Sequence, residues 1–138
     1  MAIHQIQNEI IQEFALLDND AERIMLYLVS LARILPEMPQ TYKVDSNLVQ
    51  GCHSKVWLAA VADINRIYFH ADSDTIISQG LASLLLRVFN GQRREDILNT
   101  NLYFFQSNCL ERFVGTKRSN GFYAMVGRMR AVARGDGP

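Results

Sequence analysis

The first apolar positions of the chain fall at Ile6, Ile10, Phe14 and Leu17 with polar residues between them, and this spacing predicts a helix over 4–17. The segment 16–20 (LLDND) breaks the period. Asn19 and Glu22 then stand at the spacing of a capping box, so a second helix is expected from about Asp20. Its apolar face is Ile24, Leu28, Leu31 and Leu35, and Pro36 and Pro39 end it, since proline donates no hydrogen bond to the helical ladder. Residues 36–54 show no period; so long an irregular segment in a small domain is usually functional or disordered. Residues 55–62 (KVWLAAVA) read as a largely buried strand, 63–66 as a turn and 67–71 (IYFHA) as its antiparallel partner. A third helix is expected over about 74–90 from Ile77, Leu81, Leu84 and Val88, widened by Ile76 and Leu85. Asp72, Ser73 and Asp74 read as its cap, and Gly91 as its end. A helical turn over 94–99, a helical stretch over 102–114 with Phe104, Phe105, Leu110 and Phe113, and a last helix over about 118–133 with Phe122, Met125, Met129 and Val132 inward complete the pattern. Arg128, Arg130 and Arg134 load the end of that helix, where cations suit the dipole. The sum is an α+β fold, helices packed on a small antiparallel β-sheet, expected as a single domain over 1–138.

Composition agrees with a folded domain. The chain has 138 residues, 49% of them apolar, with a mean hydropathy of −0.03. A chain of this length buries about two thirds of its unfolded surface and needs no staples. Lys plus Arg and Asp plus Glu number 14 each, so the net charge is zero. That balance argues against a nucleic-acid partner, though not against a local patch for a protein. No apolar run approaches the roughly 20 residues a bilayer requires, so no membrane is expected either. The N-terminal segment MAIHQIQNEIIQEF is polar and acidic where a secretory leader would be basic and then apolar, and a cytoplasmic location is the expectation.

In that compartment the two cysteines are not expected to form a disulfide, and each is either a buried small residue or a reactive thiol. Cys52 ends the irregular segment, follows Gly51 and precedes a strand. Glycine lets another group approach closely, and a loop position favours exposure. Free cysteine is also among the most buried residue types, so the residues alone leave both readings open. Cys109, in an apolar helical context, reads as core packing. His53 next to Cys52 suggests a Cys–His pair, but neighbours in an extended segment point opposite ways, which places His53 badly for a base. Two cysteines and three histidines without ligand spacing do not make a zinc site. There is no glycine-rich phosphate loop, nucleophile elbow or zincin motif.

The segment QGCHSKVWL at 50–58 resembles the SufE family of sulfur acceptors, in which a glycine–cysteine loop leads into a strand carrying Val-Trp. Leu35-Pro36-Glu37, DSDTIISQGL at 72–81 and KRSNGFYAM at 117–125 resemble further motifs of the same family in the same order. The resemblance implies a fold similar to that of IscU-type scaffold proteins. It implies that Cys52 is a persulfide-bearing nucleophile, taking the outer sulfur from a cysteine desulfurase of the SufS or CsdA type, stimulating it, and passing the sulfur toward iron–sulfur cluster assembly. The chain would then be a carrier and activator rather than an enzyme, with no cofactor of its own, pyridoxal phosphate belonging to the desulfurase. Residues carried over by motif are Gly51, Cys52, Ser54, Val56 and Trp57, then Asp72 and Asp74, then Arg118 and Gly121. Only Cys52 is assigned chemistry; Arg118 would stabilise a thiolate or persulfide if it folds near the loop. The sequence departs from the family at His53, where Gln is common, and at Cys109, where a small residue is usual. Two other readings compete: an iron–sulfur scaffold of IscU-like type, which needs three or four converging soft ligands, and a cysteine hydrolase, which needs an orienting acid and an oxyanion site.

Overall fold

The computed structural model describes residues 2–107 and 110–136. Helix α1 (Ile3–Ala15) buries Ile3, Ile6, Ile10 and Phe14 on the expected face. Helix α2 (Ala21–Arg33) buries Ile24, Leu28 and Leu31. Its cap is Asp20, whose Oδ1 accepts the Arg23 N–H at 3.1 Å, not Asn19. Asn19 instead takes a left-handed conformation with Asp18 in the connecting turn (φ 55° and 54°), which asparagine and aspartate tolerate better than most residues.

After α2 the chain runs through short 3-10 turns at Gln40–Tyr42 and Asp45–Asn47. Met38 and Val49 pin this segment by being buried. Strand β1 (Val56–Ala62) pairs antiparallel with β2 (Arg66–Ser73), Trp57 opposite Asp72 and Ala59 opposite His70. A two-residue strand β3 (Gln92–Arg93) adds to the far edge of β2, giving the order β1-β2-β3. So short a strand has no alternation to reveal it. Helix α3 (Ile76–Phe89) covers one face of the sheet and packs on α2. A Cβ on Gly80 would lie 2.7 Å from the Leu28 carbonyl oxygen, so the two helices touch backbone to backbone at that glycine. Helix α4 (Arg94–Asn99) is one and a half turns, and α5 (Leu110–Ala133) is broken at Gly115 (φ 84°, ψ 170°). The fold is α+β, with one connected apolar core formed by α1, α2, α3, α5 and the inner sheet face. Among the described residues no helix is long and apolar enough to cross a membrane.

Two expectations are corrected. The stretch 102–114 is not a continuous helix: 101–107 is irregular, and the described helix runs from Leu110. Phe104 and Phe105 are buried from a turn, where Phe105 stacks on Phe122 with ring centroids 3.9 Å apart. Gln7, a fully buried polar residue of α1, stands in for the missing helical ladder. Its Oε1 accepts the N–H groups of Tyr103 (2.7 Å) and Phe104 (3.1 Å), and its Nε2 donates to the Asn101 carbonyl (3.1 Å). Cys109 lies outside the described residues. The second correction concerns Asp72, Ser73 and Asp74. They do not cap α3, whose N-cap is Thr75, and the Thr75 side chain makes no capping bond to the helix. Asp72 and Ser73 end β2, and all three side chains are committed to contacts described below.

Candidate functional site

Val49 donates its N–H to the Val56 carbonyl at 2.8 Å, and Leu48 bridges Trp57, so the chain before β1 folds back on it as a hairpin with its tip at 50–55. Gly51 takes the turn at φ +89°, a conformation that carries no steric penalty only for glycine, and passes over Ala124 of α5. Cys52 follows, half-buried. Its thiol donates to the Gly121 carbonyl, Sγ to O 3.6 Å. A Cβ on Gly121 would sit 3.5 Å from Sγ and 3.8 Å from the Cys52 Cβ, so bare helix backbone forms the seat of the thiol. Burial pushes the Cys52 thiol above its ordinary pKa, because leaving water disfavours the thiolate. Beside Sγ is a cavity of about 10 Å³, near the smallest that holds one water. Val56, Leu81, Phe122 and Met125 form its apolar wall, and His53, Ser54, Lys117 and Arg118 its polar rim.

The tip is clamped on both legs. Lys55 donates its N–H to Asp74 Oδ1 (3.0 Å), and its carbonyl accepts from Ser73 Oγ (2.8 Å) and the Asp74 N–H (3.1 Å). Ser54 Oγ lies 2.9 Å from Thr75 Oγ1. Asp72 Oδ2 pairs with Lys43 Nζ at 2.6 Å, while its Oδ1 accepts from the Ser73 N–H (2.7 Å) and Gln79 Nε2 (3.2 Å). Burial works to raise the Asp72 pKa, but Lys43 and these two donors outweigh it and hold the carboxyl below its usual range. Lys43 also stands 5.7 Å from the Trp57 ring centroid. On the other leg, Arg128 donates to the carbonyls of Leu48 (3.2 Å) and Ser46 (2.9 Å).

Cys52, His53 and Ser54 of the tip and Arg118 and Gly121 of α5 thus converge on one small cavity, with Gly51 at the turn before it, while Asp74 anchors the strand leaving it and Asp72 ties the end of β2 to Lys43. Arg118 folds beside the loop but is exposed and bonds the Val114 carbonyl at 3.4 Å, not the thiol. His53 is exposed, and among the described residues no bond joins it to Sγ. Sequence reasoning missed Lys43, Gln79 and the strap made by Arg128. Lys117 was legible only as the neighbour of Arg118. Among the described residues, no group of three or more His, Cys, Asp or Glu is arranged to hold a metal ion. Among the described residues the site holds one thiol, its ionisation disfavoured by burial, on a short tip between two hydrogen-bonded legs. Such a thiol suits exchange at an electrophilic sulfur more than attack assisted by a neighbouring base.

Residues 8–133 match the family described as SufE, Fe-S metabolism associated domain. The chain belongs to the SufE family. An uncharacterized SufE-like protein of Rhizobium meliloti (strain 1021) is 35% identical over 133 residues, covering 93% of this chain and 94% of the relative. Another SufE-like protein, of Rhizobium etli, is 30% identical over 132 residues, covering 92% of this chain and 88% of the relative. The solution structure of a hypothetical protein from Thermus thermophilus superimposes with a TM-score of 0.76 at 20% identity, covering 95% of both chains, and shares the SufE fold described above. Family membership places the chain in iron–sulfur metabolism.

Proposed function

We propose that the chain is a sulfur acceptor that receives persulfide sulfur on Cys52 from a cysteine desulfurase of the SufS or CsdA type, stimulates that enzyme, and delivers the sulfur to an iron–sulfur scaffold or another acceptor. One observation carries the reading. Cys52 sits on a tip clamped at both legs, with its thiol on the bare backbone of Gly121. The seat keeps the thiol protonated and slow toward small oxidants, and lifting the tip removes the burial that disfavours the thiolate. The thiolate then attacks the outer sulfur of the donor persulfide. A sulfur–sulfur bond forms at Cys52 Sγ, the donor's sulfur–sulfur bond breaks, and the donor cysteine leaves as a thiolate that takes up a proton. The reading assigns no cofactor to this chain, pyridoxal phosphate belonging to the desulfurase. The test is incubation with a desulfurase and cysteine, followed by intact and peptide mass spectrometry. One or more extra sulfur atoms are expected on Cys52, lost in Cys52→Ser and retained in Cys109→Ser. Sulfur on Cys109 alone would overturn the assignment.

A further inference from the structure

His53, Ser54, Lys117 and Arg118 belong to two spaces at once. They rim the small cavity at the Cys52 thiol, and on their other side they line an open groove of about 520 Å³ that runs to Gly115 and Thr116. Among the described residues no Asp or Glu lines either space. Among them, too, the side chains of Lys117 and His53 have no hydrogen bond or ion pair, and Arg118 has only its bond to the Val114 carbonyl. In a chain of zero net charge, this is a local concentration of cations without counter-charge. A groove bounded by an ammonium, a guanidinium fork and hydroxyls fits a small anion with several oxygen acceptors. It adjoins the cavity at the Cys52 thiol through the four residues that the two spaces share.

We propose that this groove is a subsite for small sulfur oxyanions of the sulfite class, and that through it the Cys52 persulfide is discharged to thiosulfate without a protein acceptor. The inference rests on the persulfide reading above. The lone pair on the sulfite sulfur attacks the outer sulfur of the persulfide. The new sulfur–sulfur bond of thiosulfate forms, the bond to Cys52 Sγ breaks, and its electron pair returns to Cys52 as a thiolate. Any proton carried by the persulfide leaves with the thiosulfate or to solvent. The sulfite sulfur is formally oxidised and the persulfide linkage reduced, so no outside oxidant or reductant is consumed. The obstacle is charge, because a sulfite dianion approaching an ionised persulfide is repelled. Lys117 and Arg118 offset that repulsion, and a cleft lined by one sign of charge raises the local concentration of its counter-ion roughly 10- to 1000-fold.

The experiment uses the Cys109→Ser chain loaded with inorganic polysulfide, with loaded Cys52 counted by intact mass. Sulfite is then added, and thiosulfate release and the return of the unloaded mass are followed. The rate per loaded Cys52 is expected to saturate with sulfite. The double variant Lys117→Gln/Arg118→Gln is expected to lose saturation and about tenfold or more of the rate at low sulfite, while discharge by an uncharged water-soluble phosphine, which takes the outer sulfur as phosphine sulfide, changes little. A rate linear in sulfite and indifferent to the two charges overturns the proposal. So does a double variant that loses desulfurase-driven loading yet keeps its sulfite kinetics, which would assign the groove to an acidic surface of a protein partner. Polysulfide loading separates the two readings: failure of a desulfurase to load Cys52 would refute the acceptor role and leave the sulfite assay readable.

Discussion

Cys52 and Gly121 are 69 residues apart and make one functional unit. The thiol was visible in the sequence as a cysteine after glycine at the end of an aperiodic segment. Its seat was not, because a glycine inside a helix carries no pattern that points to a partner on a distant loop. The pair makes the reactivity of Cys52 a matter of geometry. Because burial raises the thiol, alkylation of the resting protein is expected to climb with pH through a midpoint above the ordinary thiol value of about 8.5. Gly121→Leu places a side chain where Sγ rests, so alkylation at neutral pH should accelerate and the midpoint fall back toward that ordinary value. Rates of iodoacetamide labelling across pH check this, with circular dichroism confirming that the variant is folded; an unchanged profile in a folded variant would remove the seat from the account. His53 is a residue whose neighbourhood misleads, since adjacency to the thiol produces no hydrogen bond with it.

The helices and the main hairpin were legible from spacing because their stability comes from burying one face, as in Ile6, Ile10 and Phe14, or Ile24, Leu28 and Leu31. What spacing could not show were elements defined by a single distant contact. Gln7 reads as a polar residue on the outside of its helix, yet it is fully buried and holds the turn carrying Phe104 and Phe105. Gln7→Leu keeps the volume and strips acceptors from two N–H groups, so it should destabilise the fold by roughly 1–3 kcal/mol for each group left unpaired, read as a lower urea midpoint. Asp72, Ser73 and Asp74 have the composition of a helix cap, but their side chains reach across to Ser73, Lys43, Gln79 and Lys55 before α3 begins. Tertiary partners override the local role. Gly80 is a third case: its missing side chain lets α3 rest on the Leu28 carbonyl, and Gly80→Ala should cost about 1–3 kcal/mol despite the better helix propensity of alanine.

For the molecule as a whole, α1, α2 and α3 are tied by one polar cluster as well as by the core. Glu13 accepts Arg87 Nη1 at 2.7 Å and Nη2 at 2.6 Å, and the Tyr27 hydroxyl also donates to it. Burial and then the bond to Glu13 push Tyr27 up to about 12. A folded pKa above the unfolded value of about 10 means that the stabilisation is complete below that pH and is lost as pH rises toward 12. Urea midpoints should therefore be flat through neutral pH and decline above about pH 10. Tyr123 is also pushed up to about 12, by burial and then its bond to Glu111, so Glu13→Gln should bring one of two late-titrating tyrosines back toward the others in an ultraviolet titration; a titration that still shows two would rule out the cluster as the cause. The clamps on the hairpin have a further consequence at this scale. Cys52 lies three residues from Val49 and three from Lys55, both held by hydrogen bonds. At roughly 3.3–3.6 Å per residue, a fully drawn-out tip carries the Cys52 Cα about 10 Å from either anchor, and the sulfur only a side-chain length beyond that. Cargo on so short a leash has a fixed delivery radius: a protein exchanging sulfur with it must already be touching this face, and anything that is not touching must be small enough to come to the sulfur by diffusion.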